Sequence, residues 1–184
     1  MRVVVLGTSG SGKSTFASRF AAATGIARIE LDEINWRPGW YDRSSRDPEG
    51  FAADVRAAVA GDAWVCAGSY SKVRPITLAR AEVLVWLDLP RWLIMRQVVL
   101  RSIARVFGSE PFPGCREDFR RILDPGHPIR WAWTTHARRR KQLTGLVKDP
   151  QYAHLEVLRC RSRLEIEAAF ARLVARRNGS AEEA

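Results

Sequence analysis

Residues 2–14 read RVVVLGTSGSGKS, and this stretch decides the fold. Arg2 to Leu6 is a β-branched run without polar alternation, the signature of a strand covered on both faces in a parallel sheet. Gly7-Thr8-Ser9-Gly10-Ser11-Gly12-Lys13-Ser14 then matches the pattern GxxxxGK(S/T), directly before a helix that opens at Lys13 and carries Phe16, Ala17 and Phe20 on one face. Glycines at these positions let the backbone curl until successive amides and the helix amino end point at phosphate oxygens. Lys13 is placed to bridge the terminal phosphates and the Ser14 hydroxyl to ligate Mg²⁺. Gly7 through Thr15 are therefore the expected nucleotide-binding residues, with ATP and Mg²⁺ as the expected ligands.

Working outward, strand and helix alternate. Ala27 to Leu31 reads as a second strand ending at Asp32, followed by a loop over 33–46 rich in Trp, Pro, Gly and Ser that has room for a turn of helix. Asp47 and Pro48 supply an N-cap and a first-turn proline for a helix with Phe51, Val55, Ala58 and Val59 as its apolar stripe. Ala63 to Ala67 is a third strand, Val73 to Ala79 a short helix, and Glu82 to Leu87 a fourth strand closed by Asp88 and Pro90. Helices are expected over 91–107, 115–123 and 129–145, a fifth strand over Tyr152 to Leu158, and a closing helix from Leu164 to Ala175. Such alternation predicts an α/β three-layer sandwich: a five-stranded parallel sheet with helices on both faces and ligands at the carboxyl ends of the strands. The 184 residues fit one domain, 1–176, with an arginine-rich helical lid inserted at about 108–130 and a flexible tail over 177–184.

The formal net charge of +10 is not spread evenly. Residues 1–90 hold 11 basic and 10 acidic side chains, residues 91–148 hold 13 and 4, and residues 149–184 hold 6 and 6. The middle segment wants an anionic partner, nucleotide or polymer, and 26 of the 30 basic residues are arginine, the better bidentate ligand for phosphate. Arg101 and Arg105 lie one helical turn apart on one face, with Arg96 close by, and are the expected phosphate-neutralising residues at the base of the lid. The cluster Arg138-Arg139-Arg140-Lys141 points around a helix rather than to one side and receives no catalytic role.

Other P-loop proteins place a magnesium-holding acid at the end of a neighbouring strand. Here Ala67 occupies that position in Trp64-Val65-Cys66-Ala67-Gly68-Ser69-Tyr70. Asp32 and Asp88, each at a strand end, are the replacement candidates for the metal, together with Ser14. Asp32 is also the candidate to orient an acceptor hydroxyl or take its proton, with Trp36 and Trp40 lining the acceptor pocket. Trp64 and Trp86 fall inside strands and read as core, as do Trp131 and Trp133 unless they close the lid. The three cysteines, Cys66, Cys115 and Cys160, are odd in number and far apart, and His127, His136 and His154 share no ligand spacing, so neither a disulfide framework nor a zinc site is implied. No apolar run reaches the ~18 residues of a membrane span, and Met1 to Leu6 leads into a glycine loop rather than a cleavage site, which predicts a cytoplasmic protein with no membrane partner.

In their order along the chain these motifs resemble the adenylate-kinase-like P-loop proteins, and more closely the bacterial DNA topology modulation proteins, from Val3 to about Val174. Beyond the P-loop the likeness rests on Leu31-Asp32 with Trp36, on Gly68 and Tyr70, and on Val85-Trp86-Leu87-Asp88-Leu89-Pro90. Arg101, Gly114-Cys115 with Glu117, Trp131 with Trp133, and Arg161-Ser162 add to it. The resemblance implies that Arg101 contacts phosphates from the lid base and that the loop holding Arg161 to Arg163 lies against the adenine. Ala67 and Ser69 depart from the Asp-Gly-Asn that the closer group tends to have. The expected activity is transfer of the ATP γ-phosphate to a small, nucleotide-like acceptor. The alternatives are a nucleotide-regulated nucleic-acid binder that affects DNA topology, which is less favoured, and an ATP sensor whose catalysis has decayed.

Overall fold

A computed structural model describes residues 1–106, 113, 115 and 128–182, the side chains of 104–106, 128 and 180–182 excepted. Its centre is a five-stranded, wholly parallel sheet of β1 (Arg2–Gly7), β2 (Ala27–Glu30), β5 (Trp64–Ala67), β6 (Val83–Leu87) and β7 (Glu156–Cys160), in the order β2-β5-β1-β6-β7. The expected α/β sandwich is the fold observed. Because β1 sits between β5 and β6, the glycine loop leaves the middle of the sheet, where the chain turns from one side to the other and a crevice opens.

Alternate residues of the central strands feed two apolar layers. Val4, Leu6, Trp64, Cys66, Leu84 and Trp86 pack with Phe51 and Val55 of α4 (Pro48–Ala58), Leu78 of α5 (Arg74–Arg80) and Leu143 of α7 (Pro128–Leu146). Val3, Val5, Val65, Ala67, Val83 and Val85 pack on the other face against Phe16, Ala17 and Phe20 of α1 (Lys13–Thr24) and Leu173 of α8 (Arg163–Glu182). A third cluster joins α6 (Arg91–Val106), through Leu93, Ile94 and Val98, to Ala132 of α7. The Asp47 cap forms as expected, its carboxylate accepting the Gly50 amide at 3.0 Å. Among the described residues no helix is long and apolar enough to cross a membrane.

Several boundaries differ from the sequence reading. Leu31 does not extend β2: the chain turns there into the short helix α2 (Leu31–Asn35), so Asp32 stands in the first turn of a helix. The 33–46 stretch contains the remainder of α2, a two-residue antiparallel hairpin of β3 (Trp36–Arg37) and β4 (Tyr41–Asp42), and a helical turn α3 (Arg43–Arg46). The fifth strand begins at Glu156, not Tyr152, because Pro150–Tyr152 closes a 3₁₀ turn capped by Asp149. The last helix continues to Glu182, so residues 177–182, expected as a flexible tail, are helical. Trp64 and Trp86 are core, but Trp131 and Trp133 are exposed, Trp133 covering the Arg91 guanidinium at 3.6 Å. The expected 115–123 helix and most of the 108–130 lid lie outside the described residues, as does the Arg105 side chain, although its backbone belongs to α6.

Candidate active site

The glycine loop connects β1 to α1 with Gly10 at φ 81° and Gly12 at φ 92°, a left-handed backbone that side chains disfavour. Gly10 is also pressed against α6, where an added Cβ would collide with the Val98 methyl. No side chain caps α1, so its first amides face the loop mouth, the arrangement that receives an anion. The Lys13 ammonium donates to the Thr8 carbonyl at 2.9 Å. Burial draws Lys13 down to about 8; Asp32 and Glu30 pull it back up, while Arg139 and Arg101 push it further down. These influences place two acids and two guanidiniums around one ammonium at the carboxyl end of the sheet.

The acid absent at Ala67 has a counterpart the sequence reading missed. In the parallel pairing of β2 with β5, Glu30 stands directly opposite Ala67, and paired residues of neighbouring strands project to the same face. Glu30 is buried, and neither of its carboxylate oxygens has a hydrogen-bond partner; the nearest cation is Arg28 at 3.7 Å. Burial pushes its carboxyl up to about 7, and the neighbouring Ser14 hydroxyl and Lys13 act in the opposite direction. A buried, underpaired carboxylate beside the P-loop serine fits the needs of Mg²⁺, a hard cation that takes one or two protein oxygens and leaves the rest to phosphate and water. Among the described residues no group of three or more His, Cys, Asp or Glu could hold a metal by itself. The available signal in the sequence was Glu30 itself, a charge inside a short strand two residues before Asp32.

Asp32 is half-buried, and its Oδ1 accepts the Tyr70 hydroxyl at 2.6 Å. Tyr70 stacks edge-on against Phe51, with ring centroids 5.2 Å apart, and burial raises its pKa, with the Asp32 charge adding to that effect. The turn after β5 that brings Tyr70 in needs Gly68, at φ 144°, because a Cβ there would meet Leu31 at 2.6 Å. Ser69 ties this turn to the start of the P-loop, its hydroxyl donating to the Gly7 carbonyl at 3.1 Å. Beyond Asp32, Trp36 and Trp40 form a T-shaped pair with centroids 5.4 Å apart, held by the β3–β4 hairpin, and Trp40 has φ 59°. The buried Cys115 thiol reaches the Arg37 carbonyl of this hairpin at 3.4 Å.

Arg101 is half-buried on α6, one turn beyond the Val98 that touches Gly10, and its charge is felt by Lys13. Arg96 is exposed. Two residues of the basic cluster have specific placements after all. Arg139 is half-buried and donates to the Ser69 carbonyl at 3.3 Å, and Arg140 joins Asp88. Asp88 does not follow the metal-ligand expectation: its side chain is 3% exposed, Arg140 Nε lies 2.9 Å from Oδ1, and Arg159 lies 2.6 Å from Oδ2. With a guanidinium on each oxygen, and Arg159 stacked 4.2 Å over the Trp86 ring, Asp88 clasps α7 and β7 to the sheet. Arg161 is exposed two residues before α8, its amide donating to Glu165 at 2.7 Å.

No protein-family model matches the chain, and no curated protein matches its sequence. Solved structures share its fold. Shikimate kinase from Aquifex aeolicus vf5 superposes with a TM-score of 0.54 at 15% identity, covering 98% of both chains. Shikimate kinase from Bacteroides thetaiotaomicron gives a TM-score of 0.53 at 17% identity, over 94% of this chain and 96% of that one. A gluconokinase from Sinorhizobium meliloti 1021 gives 0.51 at 19% identity, over 95% and 94%. At these identities the likeness shows the fold alone: a parallel α/β sandwich like that of these three proteins.

Proposed function

We propose that the chain is an ATP-dependent phosphotransferase that passes the γ-phosphate to a hydroxyl of a small molecule. One observation carries the reading: Asp32, held by Tyr70, stands in the electrostatic reach of the P-loop lysine with the tryptophan hairpin beyond it. The polyphosphate lies along the amides of Gly7 to Thr15, and the Lys13 ammonium moves from the Thr8 carbonyl to the terminal phosphates. Ser14 and Glu30 would hold Mg²⁺, which supplies neutralisation of phosphate charge. Tyr70 occupies Oδ1 of Asp32, so Oδ2 is the atom that accepts the acceptor's hydroxyl proton. The acceptor oxygen then bonds to the γ-phosphorus as the bond to the ADP oxygen breaks, and Arg101 balances the charge that spreads over the equatorial oxygens. Arg105 is retained as a second lid-base arginine and Arg161 as a residue beside the base.

The shikimate kinases and the gluconokinase of the same fold bear names of enzymes that phosphorylate small hydroxylated molecules, which supports the reaction class. The finer resemblance to DNA topology modulation proteins agrees with it: Glu30 supplies a carboxylate where that group's Asp-Gly-Asn element is interrupted by Ala67. The same residue argues against a decayed sensor. Coupled ATP turnover over a panel of polyols, sugar acids, nucleosides and nucleotides tests the proposal. At least one should stimulate turnover, and Asp32→Asn should abolish that stimulation. ATP binding with no stimulation by any panel member would defeat it.

A further inference from the structure

Four consecutive basic residues on α7 are turned by successive steps of about 100° around the helix, and they go to different environments. Arg138 and Lys141 face solvent and Arg140 serves Asp88. Arg139 turns to the carboxyl end of β5, where the Ser69 carbonyl accepts its Nη1 at 3.3 Å and the Trp131 ring lies 5.6 Å from its guanidinium carbon. Its charge is felt by Lys13. Burial lowers its pKa, and the neighbouring Arg74 and Arg138 lower it further, while Asp32 and Tyr70 act the other way. Arg74 is itself half-buried, with its Nε lacking a hydrogen-bond partner. Neither Arg139 nor Arg74 forms an ion pair with a carboxylate among the described residues, in contrast to Arg140 and Arg159 on Asp88.

Holding guanidiniums together and partly out of water is unfavourable unless an anion completes the arrangement. The P-loop already provides amides and an ammonium for the nucleotide. Arg139 is bonded to the turn after β5 that carries Tyr70, the partner of Asp32, and these belong to the acceptor side of the proposed reaction; its charge also reaches Lys13 on the nucleotide side. We propose that Arg139 recognises an anionic group on the acceptor, so that the molecule phosphorylated is a hydroxylated carboxylic acid or phosphate ester and not a neutral polyol or nucleoside. The inference rests on the acceptor-side reading of Asp32. It explains why this arginine, unlike Arg140 on Asp88, is drawn inward with no carboxylate to meet it: planar, two-pronged donors match carboxylate and phosphate oxygens.

The test compares glycerol, glycerate and glycerol 3-phosphate, which share hydroxyls and differ in charge. Their binding is followed by tryptophan fluorescence, with Mg²⁺ and a non-hydrolysable ATP analogue at saturation so that the P-loop is filled. One acid should bind at least about tenfold more tightly than glycerol, a difference within reach of a single charge-assisted pair. A preference for glycerate assigns a carboxylate, and one for glycerol 3-phosphate assigns a phosphate ester. Arg139→Met should erase the preference and leave the affinity for the analogue within about twofold, and Arg139→Lys should keep part of it, since charge survives without the two-pronged geometry. The proposal is overturned if neither acid is preferred by the unaltered chain, if the preference persists in Arg139→Met, or if Arg139→Met instead weakens the analogue about tenfold, which would assign the guanidinium to the nucleotide. Measuring turnover of the same three molecules with ATP in place of the analogue separates the two readings, because acid preference without phosphoryl transfer would keep this inference while defeating the proposed reaction.

Discussion

Two strand ends of the same parallel sheet carry acids, and they have opposite fates. At the end of β6, Asp88 has a guanidinium on each oxygen and a tryptophan behind one of them. At the end of β2, Glu30 has no hydrogen-bond partner on either oxygen, and Asp32 has a tyrosine on one. Both places satisfy the rule that ligands gather at carboxyl ends of parallel strands. What separates them is neighbouring charge: a carboxylate already saturated by fixed cations is structural, and one kept underpaired at a cost in stability is available for chemistry.

Asp32→Asn should produce the largest effect, lowering phosphoryl transfer by about 10²- to 10⁴-fold through loss of the proton acceptor. ATP affinity and the unfolding midpoint should hardly move. A large loss of stability instead would make Asp32 resemble Asp88. Lys13→Ala should weaken ATP binding about a hundredfold by calorimetry, the loss expected for a charge-assisted contact to phosphate. Asp88→Asn should do the reverse of Asp32→Asn. Urea unfolding should show a loss of about 2–3 kcal/mol, moderated because both arginines are part-exposed, with ATP affinity unchanged. A fall in ATP affinity without loss of stability would restore Asp88 as a metal ligand.

Glu30→Gln should give the smallest effect and the most diagnostic sign. Its carboxyl is raised in the folded chain to about 7, above its unfolded value, so the native state holds the proton more tightly. Its stabilising contribution is complete below the unfolded value and is lost as pH rises through about 7. At pH 8 the glutamine variant should therefore be more stable than the parent by about 2 kcal/mol, and at pH 4 the two should coincide. The same variant should bind Mg²⁺ and ATP together less tightly at pH 8, an exchange of stability for function. Equal stability at both pH values would show that Glu30 is as well paired as Asp88.

The central sheet was legible because β5 and β6 are apolar runs buried from end to end, β1 is buried from Val3 onward, and the glycine loop has few physical alternatives. The edge strand β7 was misplaced because it buries only Cys160 fully and so carries a weak pattern. Asp32 and Tyr70 were visible as residues, but their 2.6 Å contact joins positions 38 apart. Asp88 was misread because the arginines that quench it come from residues 52 and 71 positions later. Glu30 went unnoticed for the same kind of reason: its significance lies in standing across from Ala67, which only strand pairing reveals. Arg139 was hidden in a run of four cations until the helix phase separated them.

The contact between Gly10 and Val98 has a mechanical corollary. The crest of the phosphate loop rests on the helix that carries Arg101, three residues and thus about 4.5 Å of rise further along. Loop and arginine are set by a common ruler, so a bulkier side chain at position 98 would shift the cradle and its counter-charge together. The span between them is fixed by one methyl group and one turn of α6.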